Sequence, residues 1–202
     1  MTTKLAKTAA PVHDLVARRW SGRAFDRTRP VSREQLTSLL EAARWAPSCY
    51  NDQPWRYIVF DRARDESAWK KGFACLGDWN QKWAGSAPIL LLSIADSSFQ
   101  RTGKPNRWGP HDTGAASALL CIQATALGLM AHQMGGFDPR KAHDTFDIPE
   151  RYTCMAMIAV GYPASPDILA DEEMRAQEHA ERERRGLGEC FFDGDWGRPY
   201  TT

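Results

Sequence analysis

The sequence predicts an α+β fold in one domain, with a sheet of about four or five strands packed against helices. Three observations indicate this class. Short apolar runs of strand length alternate with segments of helical periodicity. Residues 112–128 form a long apolar helix pattern with no charge after its first residue. No linker, internal repeat or low-complexity stretch divides the 202 residues, a length that suits a single domain with a substantial core.

The clearest element of the first half is a helix that begins after Ser32. Ser32 and Gln35 form a capping-box pair, and apolar residues follow at helical spacing until Pro47 stops the pattern. Periodicity and residue type predict four further features. These are a helix over 12–19, a strand over 55–60, helices over 65–84 with breaks near Gly72 and Gly77, and a buried strand over 87–95.

The second half centres on the predicted helix over 112–128. Asp112 or Thr113 can cap this helix and Gly128 can end it. Because its apolar residues cover nearly every direction, we expect it to be buried inside the protein or a dimer. The remaining elements are strands over 130–134 and 153–160, a short helix opened by Asp138 and Pro139, and a polar helix over 171–185 with the pairs Glu178–Arg182 and Glu181–Arg185. We expect that last helix to be exposed or to lie along a partner.

The composition argues against several classes of function. The chain has 26 Lys and Arg against 25 Asp and Glu, and it shows no basic face or nucleic-acid motif, so no nucleic-acid partner is expected. Its five cysteines are scattered without a CxxC pair, which argues against a disulfide set and a metal site. The N-terminus lacks a secretory pattern and the run over 87–95 is too short to span a bilayer, so we expect a cytoplasmic protein that does not bind membranes.

The first candidate site is a cluster of arginines after the first predicted helix. Arg18, Arg19 and Arg23 lie within six residues, and Ser21 adds a hydroxyl group between them. Arginine guanidinium groups match phosphate oxygens with two parallel hydrogen bonds. These residues are consistent with a phosphate site, although in isolation the segment is better explained as a solvated charged face.

Two further candidate sites are rich in groups that donate and accept hydrogen bonds. Ser48, Asn51 and Gln53 lie in a proline-bounded loop and suit the edge of a heteroaromatic ring, or else they satisfy one another. Gly135 and Gly136 follow a predicted strand, where they either let a ligand approach the backbone or form a tight turn with positive φ. Neither GxGxxG nor GxxxxGK[ST] occurs, which disfavours a Rossmann fold and a P-loop.

In their order and spacing, these segments resemble the nitroreductase family. Residues 19–25 (RWSGRAF) are similar to its N-terminal R-x-S-x-[RK]-x-F signature, and residues 46–55 (APSCYNDQPW) are similar to its second motif. The helix opened by Asp112, the turn over 135–138 and the strand end over 160–163 also match. The likeness covers residues 13–196.

The resemblance implies a nitroreductase-like fold over 1–202, with a central, mostly antiparallel sheet flanked by helices. It also implies an intertwined homodimer, in which we expect residues 165–202 to form an arm on the partner subunit. Two FMN sites would lie at the interface, each with residues from both subunits. One subunit would contribute Arg19, Trp20, Ser21 and Arg23, and the other Pro47, Ser48, Cys49, Asn51 and Gln53; Met134, Gly135, Gly136 and one of Arg184 and Arg185 complete the predicted cofactor contacts.

The function that the resemblance implies is reduction of nitroaromatics, quinones or similar small electrophiles with hydride from NAD(P)H. Donor and oxidant would use one site in turn, which gives ping-pong turnover, and the flavin would carry the chemistry without a catalytic side chain. The alternatives are another reaction on the same fold, such as dehalogenation, enone reduction, azoline oxidation or flavin fragmentation, or a flavin-binding protein without turnover. A thiol nucleophile at Cys49, with His111 or His132 as base, has no local support.

The segment over 97–110 resembles the variable insertion that covers the flavin in this family. We expect it to form a lid in which Trp108 lies near the substrate, with Phe73 or Trp79 nearby. Its cations, Arg101, Lys104 and Arg107, would favour electron-poor or anionic oxidants. In the alternative interpretation, Trp108 anchors the loop to the core.

Overall fold

A four-stranded antiparallel sheet forms the centre of the computed structural model, which describes residues 4–201. The strands lie in the order β1-β2-β4-β3, so β1 and β3 are the edge strands. Their bounds are β1 Trp55–Asp61, β2 Ile89–Asp96, β3 Met130–Met134 and β4 Tyr152–Gly161. The helices are α1 Asp14–Arg18, α2 Arg33–Arg44, α3 Glu66–Phe73, α4 Asp78–Ala84, α5 Gly109–Ala126, α6 Pro139–Thr145, α7 Glu172–His179 and α8 Leu187–Cys190.

Helices cover both faces of the sheet and create two hydrophobic cores. Ile89 and Leu91 of β2 belong to the core that includes α2 and α5. Leu90 and Leu92, which alternate with them, belong to the core that includes α3, α4, α6 and α7. Alternation along a strand sends successive side chains to opposite faces, so the continuous apolar run of β2 is what a strand buried on both sides requires.

Several predictions based on local signals are confirmed. Each strand lies within two residues of its predicted bounds at either end. Ser32 Oγ accepts a hydrogen bond from the backbone N–H of Gln35 at 3.1 Å, and the Gln35 side chain accepts one from the N–H of Ser32 at 3.1 Å. Asp138 caps α6, with Pro139 as the first helical residue. Gly128 has a φ of 70° just after α5, as expected for a glycine that ends a helix.

The prediction that Asp112 or Thr113 caps α5 is wrong. The helix begins at Gly109, so Asp112 and Thr113 lie inside it and do not cap it. One side packs on α2 and the sheet, whereas Leu119 on the outer side is 37% exposed. The helix lies in an outer layer, and a single chain therefore covers only part of its apolar surface. No helix among residues 4–201 is both long and apolar enough to cross a membrane.

The predicted ion pairs of the C-terminal helix are also wrong, because α7 ends at His179. Glu178 pairs with Arg23 and Glu181 with Lys7, and Arg182 donates to backbone carbonyl groups near α1. A helical ion pair contributes only about 0.3–0.5 kcal/mol, so tertiary contacts can outweigh it. Beyond α8 the chain forms a short hairpin in which Trp196 packs on Phe192 but stays 93% exposed.

Candidate functional site

The arginine segment runs from the end of α1 along the edge strand β3. The Nδ1 of His132 in β3 donates to the carbonyl oxygen of Gly22 at 3.1 Å. Burial lowers the pKa of His132 to about 4, so this histidine is neutral at physiological pH. Arg19 Nη1 donates to Ser21 Oγ at 3.3 Å, so the first two residues of the predicted phosphate site are neighbours.

Arg182 fixes the backbone of this segment. Its guanidinium group donates to the carbonyl oxygens of Lys4 at 2.7 Å, Ala17 at 2.8 Å and Arg19 at 2.9 Å. The last carbonyl groups of a helix have no partner within the helix, and here Arg182 satisfies them at the end of α1. The predicted cation of the tail was Arg184 or Arg185. Both are exposed, and Arg184 donates to the carbonyl oxygen of its neighbour Glu183 at 2.7 Å.

Positive charge accumulates around this segment. Burial lowers the pKa of Arg182, and the charges of Arg19 and Arg184 lower it further. Burial likewise lowers the pKa of Lys4. The charge of Glu178 opposes this decrease, and the charges of Arg182 and Arg23 add to it. Cations that depress one another's pKa stabilise an anion placed among them, so the cluster has the charge that a phosphate group requires.

Glu178 is the buried carboxylate of this cluster, and its sequence context indicated only a helical ion pair with Arg182. It is 2% exposed and lies on α7, where its Oε1 receives a hydrogen bond from Arg23 Nη1 at 3.2 Å. Burial raises the pKa of Glu178, while its bonds to Arg23 and the charges of Arg23 and Lys4 oppose the rise. Arg23 is therefore held in place with one end of its guanidinium group engaged.

Trp20 lies beside Lys4 and Glu178 of this cluster. Its ring packs on the core, with the Lys4 Nζ 4.7 Å from the ring centroid. Together with Lys4 and Arg18 it lines a cavity of about 400 Å³ near the start of β3, and neither Arg19 nor Arg23 lines that cavity.

The loop over 47–53 is strained. Tyr50, Asn51 and Gln53 have φ values of 54°, 55° and 51°. This left-handed region costs residues such as Tyr and Gln about 1–2 kcal/mol each, whereas Asn adopts it more readily. The Ser48 Oγ accepts a hydrogen bond from the N–H of Gln53 at 3.0 Å, which closes the loop on itself. Even so, Tyr50 is 84% exposed, and Asn51 and Gln53 are exposed too. Strain of this kind persists where the surroundings enforce it, often at a binding site.

Asp112 is one of the groups that enforce this conformation. Its side chain is buried on α5, where Oδ2 accepts the N–H of Cys49 at 2.9 Å and Oδ1 lies 3.0 Å from His111 Nδ1. The residue predicted as a helix cap therefore anchors the predicted flavin loop. Within residues 4–201, no hydrogen bond joins the Cys49 thiol to His111 or His132.

The predicted lid over 97–110 is tied to the strained loop. Asp52 accepts hydrogen bonds from the N–H of Gln100 at 3.0 Å and from the side chain of Asn106 at 3.3 Å. The two loops border a cavity of about 640 Å³. Its aromatic side chains include Tyr50 and Phe99, whose rings meet edge to face at 6.1 Å.

Within one chain, the three predicted substrate residues do not lie together. Trp108 precedes α5, lies 6.1 Å edge-on from His111, is 40% exposed and does not line the cavity of about 640 Å³. Phe73 stacks on Trp69 within the core on the other face of the sheet. Trp79 belongs to α4, which packs on that same face.

The turn after β3 keeps one backbone surface open. Neither Gly135 nor Gly136 has a positive φ, so the tight-turn explanation is wrong. Gly136 packs closely on α4, because its carbonyl oxygen accepts from Asn80 Nδ2 at 2.8 Å and from the N–H of Gly77 at 3.0 Å. A Cβ atom at Gly135 would meet nothing within 4 Å. The backbone N–H groups of both glycines donate to no other residue in the described part of the chain.

Within one chain the two predicted halves of the flavin site are separate. The loop over 47–53 precedes the edge strand β1, whereas the arginine segment contacts the opposite edge strand β3. On α5, Asp112 binds the loop over 47–53. Farther along the same helix, Cys121 accepts a hydrogen bond from Gln133 of β3. Burial raises the pKa of the Cys121 thiol, and the charge of Arg19 opposes this rise. Cys121 is nine residues after Asp112, which is a distance of about 13 Å along the helix axis. Residues 4–201 contain no cluster of His, Cys, Asp or Glu that could hold a metal ion.

The fold and these motifs define the class of protein. The family model described as "Nitroreductase family" matches residues 16–162. The chain therefore belongs to the nitroreductase family.

Individual relatives agree with this assignment. A crystal structure described as an oxidoreductase containing FMN is 33% identical to this chain and superposes on it with a TM-score of 0.89. The match covers 98% of this chain and 99% of the chain in that structure. A structure from Desulfovibrio desulfuricans in complex with FMN is 26% identical, covers 94% and 99%, and has a TM-score of 0.71. An NADH dehydrogenase of Thermus thermophilus is 28% identical over 190 residues, which are 79% of this chain and 87% of that protein.

Proposed function

We propose that this protein is an FMN-dependent oxidoreductase that uses NADH or NADPH to reduce nitroaromatics, quinones or similar small electrophiles. One observation carries the proposal: Arg19, Arg23 and Arg182 lie together as a cationic cluster beside β3, in a chain of the nitroreductase family. The relatives described with FMN and with NADH support the choice of cofactor and electron donor. For a nitro group, one NAD(P)H and one proton yield a nitroso group, NAD(P)⁺ and water.

The residues of this chain fit FMN at two places. Arg19, Ser21 and Arg182 supply donors and positive charge for a phosphate group. The unsatisfied N–H groups of Gly135 and Gly136 supply donors for the edge of a ring. His132, which holds Gly22, lies three residues before Gly135, so these places are about 10 Å apart along the chain. This separation suits an elongated cofactor with a phosphate at one end and a ring at the other.

When bound, FMN supplies the hydride chemistry, while the protein binds and orients. Arg23, held by Glu178, would place its remaining guanidinium N–H groups toward the ring edge. The exposed amides of Asn51 and Gln53 offer both donors and acceptors for the same ring. Their strained backbone presents these amides in a fixed geometry, which lowers the entropic cost of binding.

The second half of each site would come from a second copy of the chain. The outer side of α5 around Leu119 and the C-terminal patch of Phe191 and Trp196 are exposed apolar surfaces in one chain. An obligate dimer buries surfaces of this kind, and such interfaces exceed about 2,000 Å². A dimer that buried α5 would let the loop over 47–53 of one copy reach the arginines of the other.

An absorbance spectrum followed by anaerobic addition of NADH or NADPH tests this function. We expect noncovalently bound FMN, about one per chain, that is bleached by the nicotinamide and reoxidised by a nitroaromatic or a quinone. Initial velocities at several oxidant concentrations should then give parallel double-reciprocal lines, as ping-pong turnover requires. Protein that binds FMN but is reduced by neither nicotinamide would instead be a flavin-binding protein, and protein that binds no FMN would refute the proposal.

A further inference from the structure

The cavity between residues 50–53 and 99–105 has a chemistry of its own. We infer that it binds the oxidising substrate as an aromatic anion, that is, a ring that carries a carboxylate, sulfonate or phosphate group. This inference rests on the proposed function and names the substrate class for it. The cavity has a volume of about 640 Å³, which is in the range of small-molecule sites, roughly 300–1,000 Å³.

Three cations line this cavity without partners of opposite charge. Arg56, Arg101 and Lys104 belong to the lining, and within residues 4–201 none of them forms an ion pair. Arg56 is fixed because Nη1 donates to the carbonyl oxygens of Gln53 at 2.9 Å and Trp55 at 2.7 Å. A fixed guanidinium group whose bonds go to neutral carbonyls keeps its full charge for a ligand.

The one carboxylate of the lining does not cancel this charge. Asp52 directs Oδ1 to the N–H of Gln100 and Oδ2 to the side chain of Asn106, at 3.0 and 3.3 Å. Three cations against one hydrogen-bonded carboxylate leave the cavity positive. A concave surface with charge of one sign attracts small ligands of the opposite sign.

The aromatic residues that line the cavity favour a ligand that contains an aromatic ring. Tyr50 and Phe99 form an edge-to-face pair, and Tyr50 is 84% exposed on a backbone with positive φ. A large side chain held exposed by a strained backbone is costly unless a ligand covers it. An aromatic ring against Tyr50, with its anionic group toward Arg101 and Lys104, uses both features of the cavity.

Calorimetric titration of the oxidised, FMN-loaded protein tests this inference with two ligands of matched shape. 4-Nitrobenzoate carries the negative charge and 4-nitrobenzamide does not. We expect the wild-type protein to bind the benzoate about tenfold or more tightly, with a preference that shrinks as salt is added. Combined Arg101→Gln and Lys104→Met should lower benzoate affinity about tenfold and leave amide affinity unchanged.

A double variant elsewhere on the surface provides the matched control. Arg64→Gln with Lys71→Met removes the same number of charges from exposed positions that do not line the cavity, and both affinities should remain those of the wild type. Equal binding of the two ligands by the wild type, or equal losses for both in the Arg101 and Lys104 variant, would overturn the inference. Because titration needs no turnover, a protein that prefers the benzoate but is not reduced by NAD(P)H would refute the proposed function, and only the binding of an aromatic anion in this cavity would then stand.

Discussion

The carboxylate of Glu178 accepts two hydrogen bonds from Arg23, one from its backbone N–H at 3.1 Å and one from its guanidinium group at 3.2 Å. The two residues are 155 positions apart in the chain. Arg182, four residues after Glu178, bonds in turn to the carbonyl oxygen of Arg19. The C-terminal segment thus holds both ends of the segment over 19–23, and the cations of the proposed phosphate site depend on it.

The first prediction concerns the charge of Glu178. Burial raises its pKa in the folded protein above the unfolded value, so its contribution to stability is fully present below the unfolded pKa and is lost as pH rises through the folded pKa. Glu178→Gln removes this titration. Urea unfolding of both proteins at several pH values between 7 and 4 should show the wild type gaining free energy of unfolding relative to the variant as pH falls. A difference that does not change with pH would contradict the assignment.

Arg182→Met should destabilise the protein through the loss of three hydrogen bonds to backbone carbonyl groups. At about 0.5–1.5 kcal/mol for each bond, we expect a loss of about 1.5–4.5 kcal/mol in the free energy of unfolding. Arg184→Met is the matched control, because Arg184 is exposed and bonds only to its neighbour, and it should change the value by less than about 0.5 kcal/mol. Similar losses for the two variants, measured by urea unfolding, would refute the anchoring role of Arg182.

Arg19→Ala should weaken FMN binding. Loss of a charged hydrogen-bonding partner of the phosphate costs about 1.5–3 kcal/mol, which is roughly a 10- to 150-fold rise in the dissociation constant. Titration of the apoprotein with FMN, followed by flavin fluorescence, gives the two constants. Arg64→Ala, which removes an exposed arginine after β1, should leave the constant unchanged. Equal constants for wild type and Arg19→Ala would remove Arg19 from the site.

Because Tyr50 has a positive φ, we expect glycine at this position to give a more stable protein than alanine, the reverse of the order found inside a helix. At a φ of 54°, Tyr50→Gly should be more stable than Tyr50→Ala by about 1 kcal/mol, because glycine has no Cβ atom to clash. At Lys71, an exposed position inside α3, the alanine variant should be the more stable by about 1 kcal/mol. Thermal unfolding of the four variants measures both differences. If alanine is preferred at both positions, the loop does not hold a left-handed residue at position 50.

Much of the fold could be predicted because its signals are local. The capping box of Ser32 and Gln35, the Asp138–Pro139 helix start and the apolar run of β2 each depend on neighbours in sequence. The start of α5 could not be predicted from the same kind of signal. Asp112 has the chemistry of a helix cap, but the tertiary contact with Cys49 uses its carboxylate instead.

The candidate site divides in the same way. Arg19, Ser21 and Arg23 stand close together in the chain, so their cluster was visible in the sequence. Glu178 and Arg182 reach the cluster from a distant segment, and their sequence context suggested only local ion pairs. The sequence analysis chose Trp108 for this region and did not predict that Phe99 and Tyr50 line the cavity. Which side chains of the loop over 97–110 face the cavity depends on its hydrogen bonds to Asp52, which are not visible in the sequence.

The central claim is that each FMN site uses the arginine segment of one chain and the loop over 47–53 of another. Co-expression of two inactive variants tests it most directly. Arg19→Ala and Asn51→Ala disable different halves, so a mixed dimer contains one site with both changes and one intact site. We expect each variant alone to show little NAD(P)H-dependent reduction of a nitroaromatic, and the differently tagged, purified mixed dimer to recover about half of the wild-type activity per dimer. A mixed dimer no more active than either variant alone would contradict a site shared between chains.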